Sequence, residues 1–286
     1  MISFGAFSDR KTREAESARL TPLFTVDDRS DAFDGLPIGN AWSQTYFGGP
    51  FHLPLRAAED VPLVSLVFVQ SQEGNTGADN PEDLGGGPVD KYLIYEGLSR
   101  VAVDAVLAGA KTAEGEQTFF SVWNSELVAL RRELGLPRHP AQIVVTGTGC
   151  IDLDTSMLFN VPDVPVYVVS TPGGCQRLAH AASQRPSVEL VPMQGEDLRA
   201  PLAYLRRERG IRRVSAIGGR TTASGLIDAG LVQDLCRTTT ARSAGEPDTP
   251  FYVGKHPPGM RLIVRKQGTD PDYPIVFEHL AVISNR

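Results

Sequence analysis

The segment best suited to hold a phosphate is a strand-to-helix passage, Val214-Ser-Ala-Ile-Gly-Gly-Arg-Thr-Thr-Ala-Ser-Gly-Leu-Ile. Gly218 and Gly219 let the backbone turn tightly and approach a ligand, and the helix start that follows offers unpaired N–H groups and a positive dipole end. Arg220, Thr221 and Thr222 add a cation and hydroxyls. The same residues would also serve as a plain tight turn. A second junction, Val103-Asp-Ala-Val-Leu-Ala-Gly-Ala-Lys-Thr, leaves room at its strand end through Gly109 and Ala110, with Lys111 and Thr112 as polar neighbours. Ligands of open α/β sheets gather at the carboxyl ends of strands, so two such junctions on one crevice would reinforce each other. A third, Thr146-Gly-Thr-Gly-Cys-Ile-Asp, imitates a dinucleotide fingerprint but has Asp152 where the last glycine belongs and no helix directly after it. It is not a standard Rossmann site, although Thr146 and Thr148 remain hydroxyl contacts.

Other chemistries lack their residues. The zinc-deaminase pattern H-x-E with P-C-x-x-C is absent, and the five histidines, His52, His139, His180, His256 and His279, form no ligand pair at helical or turn spacing. His279, in a terminal strand, reads as structural. Neither a GxSxG elbow nor a GxxxxGK[ST] phosphate loop occurs. Cys150, Cys175 and Cys236 stand far apart, which suggests neither a disulfide framework nor a thiolate cage and fits a reduced, cytoplasmic setting; no metal is expected. A net charge of -6 opposes nucleic-acid binding. The first residues lack the apolar core of a signal peptide, and no run approaches the roughly 20 apolar residues of a membrane span, so a soluble protein is expected.

The elements that must position these junctions follow from hydrophobic period. Short β-branched runs at 64–70, 103–108, 143–146, 166–170, 188–191 and 214–217 read as strands covered on both faces. Helical patterns lie at 89–100, 125–134, 174–182, 197–209 and 223–229. The tail changes character, with strands at 235–240, 261–266 and 275–283 and no helix between them, so the expected fold is α/β with a mixed, mostly parallel sheet flanked by helices. Residues 1–60, interrupted by Pro22, Pro37, Pro50 and Pro54, read as an irregular N-terminal extension that wraps the core, and 61–286 as the main domain.

Taken in order, these segments resemble the C-terminal reductase domain of riboflavin biosynthesis, the pyrimidine-reductase branch of the dihydrofolate-reductase-like fold. That family opens with a strand and S-L-D-G, followed by a G-x-L-x-G-P-x-D-like stretch; here stand Ser71-Gln-Glu-Gly and Leu84-Gly-Gly-Gly-Pro-Val-Asp. Its A-D-A-V-L-V-G-A-G-T is matched by 103–112, its E-G-G by Ile217-Gly-Gly, and its G-L-V-D-E-L by Gly230-Leu-Val-Gln-Asp-Leu. The resemblance implies NADPH across the strand ends, with phosphates near Gly218 and Gly219, contacts from Gly109 to Thr112, and Thr146 and Thr148 near the adenosine 2′-phosphate. It also implies a homodimer, since the terminal strands leave an edge to protect; the alternative is that the extension covers that edge.

Departures bear on substrate. Glu73 stands where the family has Asp, Ile217 where it has Glu, Gln233 where it has Asp, and Lys111 where it has a small residue. Beyond Thr112 the family offers cationic contacts to a phosphoribosyl group; here Glu114 and Glu116 are followed by Phe119, Phe120 and Trp123. A phosphate would be repelled, whereas the aromatic residues would stack on a neutral heterocycle. The expected reaction is therefore NADPH-dependent hydride transfer to a small heterocycle, imine or ribosylamino-pyrimidine-like substrate. Glu73 is the expected orienting group or proton donor, and Ser71, Gln72 and Gly74 border the substrate. The competing reading is a non-catalytic scaffold that keeps the fold to bind a nucleotide.

Overall fold

The computed structural model describes residues 3–55, 60–78, 80–254 and 257–283; His256 lies outside them. The chain opens with α1 (Phe4–Ser17), β1 (Leu23–Asp28), β2 (Gly35–Ile38), α2 (Ala41–Phe47) and β3 (Phe51–Pro54). β4 (Leu63–Gln70) leads through a long loop to a π-helix, Val89–Leu98, which runs into α3 (Ser99–Val101). Then come β5 (Ala105–Gly109), α4 (Ala110–Ala113), α5 (Ser125–Glu133), β6 (Ala141–Thr146), β7 (Val166–Ser170), α6 (Pro172–Ser183), β8 (Val188–Pro192), α7 (Arg199–Arg209), β9 (Arg213–Ala216) and α8 (Arg220–Asp228). β10 (Val232–Thr240), β11 (Gly259–Gly268) and β12 (Ile275–Ile283) finish the chain.

Ten strands form one sheet in the order β1-β11-β12-β10-β4-β9-β5-β6-β7-β8. From β10 to β8 all pairings are parallel, and β1, β11 and β12 attach in antiparallel fashion. This is the mixed, mostly parallel α/β sheet flanked by helices that the sequence leads one to expect. The unbroken apolar strands are explained by burial on two sides, since successive side chains point to opposite faces. Val106, Val144 and Val168 enter one core with the π-helix, while Leu107, Ile143 and Val169 enter the other with α7 and α8.

The N-terminal residues are not irregular, which corrects the sequence expectation. Ser3 caps α1 by accepting from the Ala6 N–H at 3.3 Å, and Asn40 and Ser43 form a reciprocal capping box on α2. The prolines fall before β1, inside the two-stranded β2–β3 sheet, after α2 and at the end of β3, so they interrupt no helix. Leu23, Ile38, Phe47, Phe51 and Leu53 join the core on the π-helix side, and β1 pairs along β11, covering that edge.

His279 is tied into the sheet rather than presented to a ligand. Its Nε2 lies 2.6 Å from Asp234 Oδ2, Ser65 donates to the other Asp234 oxygen at 2.6 Å, and the ring stacks on Phe51 at 5.1 Å. The buried Cys236 thiol, with its pKa pushed up by desolvation, brings a third ligand-type atom within 4.8 Å. Among the described residues this is the one such grouping, formed by hydrogen-bonded core neighbours.

Candidate functional site

β9 and β5 are parallel neighbours, with Ala105 opposite Val214 and Leu107 opposite Ala216, so their carboxyl ends finish side by side. The Ile217 N–H donates to Leu107 O at 3.0 Å and holds the two exits together. Gly218 and Gly219 then adopt φ values of 151° and 84°, and the second lies in the left-handed region that side chains avoid. A Cβ on Gly218 would meet Thr112 Oγ1 at 3.2 Å, and one on Gly219 would meet Gly109 Cα at 3.6 Å. Gly109, Thr112, Gly218, Gly219 and Thr222 thus form one cluster. Its backbone is bare, and the first N–H groups of α8 open onto it. Arg220 is partly exposed, and Lys111 and Thr221 are exposed at its border, with Ala110 between the strand and α4.

The Thr146–Thr148 turn is built differently. Thr146 is buried, and its hydroxyl accepts from the Gly149 N–H at 3.1 Å while its carbonyl accepts from Ser170 at 2.6 Å. The Thr148 hydroxyl accepts from the Cys150 N–H at 3.2 Å, and Arg177 donates to the Thr148 carbonyl. The turn follows β6, whose Val145 is paired with Gly109 of β5, so it lies directly beside the glycine cluster. The expectation that Thr146 offers its hydroxyl to a ligand is nevertheless corrected: it closes a turn.

At the end of β4, Ser71 and Glu73 form a polar knot. Glu73 accepts from Ser71 Oγ at 2.8 Å, from Gln72 Nε2 at 3.1 Å, and from Ser243. The Ser243 hydroxyl foremost, then Ser71 and Gln72, hold the Glu73 carboxyl down to about 2. Glu73 is exposed and ionised at neutral pH, so it can orient or accept but cannot serve as the proton donor expected of it. Gly74, at φ 87°, closes the same turn by donating to Ser71 O at 3.0 Å.

The aromatic segment is also corrected. Phe119 packs edge-on against Phe4 at 4.8 Å, Trp123 against Phe7 at 5.6 Å, and Phe120 is pinned through its backbone to the Gln142 side chain at 3.2 and 3.0 Å. All three are buried, Trp123 with 1% exposure; α1 covers Phe119 and Trp123, and Phe120 joins the core on the π-helix side. They are core, not a stacking surface for a ligand. Glu114 and Glu116, by contrast, line a cavity of about 190 Å³ beside Ala110, together with Ile151, Asp152 and Phe159.

One carboxyl has surroundings that only the structure shows. Asp90, in the first turn of the π-helix, sits half-buried against Gly86, where a Cβ would come within 2.8 Å of its Oδ2. Burial raises the Asp90 pKa to about 6, opposed in part by the Thr238 hydroxyl of β10. The sequence signal was an acidic residue entering an apolar helix directly after Gly85-Gly-Gly-Pro.

Residues 83–269 match the family described as the RibD C-terminal domain. A pyrimidine reductase-like protein from Corynebacterium diphtheriae superposes with a TM-score of 0.63 at 21% identity, covering 78% of this chain and 93% of its own. RibD from Acinetobacter baumannii gives 0.60 at 17% identity over 79% of this chain, which spans only 59% of that protein. The Saccharomyces cerevisiae riboflavin biosynthesis reductase Rib7 gives 0.55 at 18% identity, over 80% and 93% of the two chains. No curated protein sequence matches. With the family match spanning well over half its length, the chain belongs to the RibD C-terminal domain family.

Proposed function

We propose that this protein is an NADPH-dependent reductase of a small heterocycle, imine or ribosylamino-pyrimidine-like compound. The observation that carries the reading is the bare-backbone cluster of Gly109, Thr112, Gly218 and Gly219 at two adjacent parallel strand ends. A Cβ at Gly218 or Gly219 would fill this cradle, and the α8 start supplies N–H donors, which is the donor set a pyrophosphate requires. NADPH bound here would supply hydride. Gly218, Gly219 and the N–H groups of Arg220 and Thr221 would hold its phosphates, with Lys111 and Arg220 adding positive charge at the border. Ser71 and the Glu73 carboxylate at the neighbouring β4 end would orient the substrate's polar edge.

The decisive measurement is thermal unfolding with millimolar NADPH and NADH, because a ligand that binds only the native state raises its stability. NADPH is expected to raise the melting temperature more than NADH. Absent or equal shifts would rule the cofactor out.

The protein is further read as a cytoplasmic homodimer. Phe24 and Val26, 51% and 54% exposed, lie on edge strand β1, whose outer side lacks a partner strand among the described residues. Such an apolar edge is stable only when paired or covered. Phe24→Glu with Val26→Glu should convert a dimer to a monomer in light scattering; a monomeric wild type contradicts this.

A further inference from the structure

We propose that the cavity beside α4 is a binding site for an organic ammonium group, carried by the compound reduced at the neighbouring cradle or by a separate amine. The site stands on its own geometry; only the first of these two sources rests on the reductase reading above. The cavity, of about 190 Å³, lies between two segments. Glu114 and Glu116 come from the end of α4 and the residues after it, and Asp152, Ser156 and Phe159 from the stretch between β6 and β7. The Met157 N–H donates to Glu116 O at 3.3 Å and fastens one segment to the other. Ala110 and Ala113 line the cavity while Thr112 borders Gly218, so cavity and cradle lie on two sides of the single turn of α4. A helix diameter, about 10 Å, separates them.

The charges at the cavity are all negative. Glu114, Glu116 and Asp152 line it, and no cationic side chain does. Arg185, whose charge reaches Asp152, is bound to Asp154 at 2.7 Å. The Thr155 hydroxyl foremost holds the Asp152 carboxyl below the usual carboxylate range, so it is ionised at neutral pH. Three carboxylates around one recess repel one another and focus a negative potential, which an entering cation relieves.

The buried wall of the cavity points to a ligand independently. Ser156 is 4% exposed and lines the same cavity, and its hydroxyl has no hydrogen-bond partner among the described residues. An unpaired buried hydroxyl costs free energy that a bound donor recovers. An ammonium offers three N–H donors, one for Ser156 Oγ and the others for carboxylates. Ala113, Ile151 and Phe159 give apolar wall to the methylenes next to the nitrogen. A bare divalent ion fits less well, because it needs its oxygen ligands converged at about 2.0–2.6 Å. Among the described residues, only Asp234, Cys236 and His279 draw three ligand-type atoms within 4.8 Å of one another.

Isothermal titration calorimetry of the intact protein with putrescine, n-butylamine, n-butanol and MgCl₂ tests the site. Both amines should bind, more weakly in high salt, and neither butanol nor Mg²⁺ should displace them. Glu114→Gln with Glu116→Gln should weaken amine binding about 1.5- to 5-fold per carboxylate removed, and Ser156→Ala about two- to tenfold. Because Ser156→Ala removes a hydroxyl that has no partner, the variant should melt no lower than wild type in the absence of amine. A lower melting temperature would make the serine structural and overturn its part in the site. Butanol that binds as tightly as butylamine, Mg²⁺ that displaces putrescine, or variants that keep wild-type amine affinity overturn the proposal. A dihydropterin with an aminoalkyl arm identifies the source. A KM for NADPH oxidation below that of the parent dihydropterin, with the advantage lost in the double Gln variant, assigns the ammonium to the substrate; equal KM values assign it to a separate amine. Protein that binds amines yet shows no NADPH-induced shift in melting temperature keeps the ammonium site and overturns the reductase reading alone.

Discussion

Two regions carry residues that read alike as ligand-facing, and the fold treats them in opposite ways. The glycine cluster at the ends of β5 and β9 keeps its backbone bare, with polar groups at its border. In the aromatic run only a few residues beyond α4, Phe119 and Trp123 are sealed beneath α1 by Phe4 and Phe7, and Phe120 is buried in the core on the π-helix side. Aromatic side chains carry a large apolar area, and they go wherever a complementary surface exists. Here the chain supplies that surface itself. Glycines at constrained conformations have no such alternative, so their placement reports a local requirement more directly.

The sharpest way to break this contrast is Trp123→Ala. A fully buried tryptophan truncated to alanine should cost about 3–5 kcal/mol, measured by denaturant unfolding, with cofactor binding retained in the folded fraction. Were the ring a substrate platform, stability would hardly change and KM would rise. Gly219→Val tests the other region. It should abolish the NADPH-induced gain, about 2.7 kcal/mol at a hundredfold excess over Kd, while straining the φ 84° position by about 1–3 kcal/mol. Normal NADPH binding by that variant would reduce the loop to a turn.

Much of the scaffold was legible because its signals are local. Strands buried on both faces must be continuously apolar, and the runs at 166–170 and 275–283 match β7 and β12 residue for residue. The N-terminal elements were not, because α1 buries only Phe7 and Ala15 and so writes almost no periodic stripe. The glycine junctions were visible as motifs, but their convergence depends on strand order. Glu73 was misread for the same reason: Ser243, which does most to hold it ionised, lies 170 residues away. The charge state of Asp90 depends on packing over β10, which its sequence neighbours do not encode.

A smaller effect comes from Glu73→Gln. The depressed pKa means that hydrogen bonding to the carboxylate stabilises the fold above the usual carboxylate range, and that this contribution is lost as pH falls from about 4.5 towards 2. Wild type should therefore exceed the variant in melting temperature at pH 6, with the difference shrinking below pH 4. A constant difference across that range would mean that the knot is not electrostatic. Because the group is exposed, solvent keeps the effect modest.

The smallest expected change sharpens the boundary between cradle and substrate. Glu114 and Glu116 line the cavity beside Ala110, and Asp152 faces them from the opposite loop. A phosphate dianion entering there would meet three carboxylates, so the phosphorylated pyrimidine should be turned over poorly and the unphosphorylated compound better. Partly exposed charges act through water, and each is worth about 0.2–1 kcal/mol. Glu114→Gln with Glu116→Gln should accordingly improve kcat/KM for the 5′-phosphate by about 1.5- to 5-fold per carboxylate removed. The gain should shrink in high salt, because screening already weakens the repulsion. The uncharged substrate should be indifferent to both changes. Equal improvement with both substrates would place the effect in loop conformation, and efficient wild-type turnover of the 5′-phosphate would show that the carboxylates lie away from the phosphate's path.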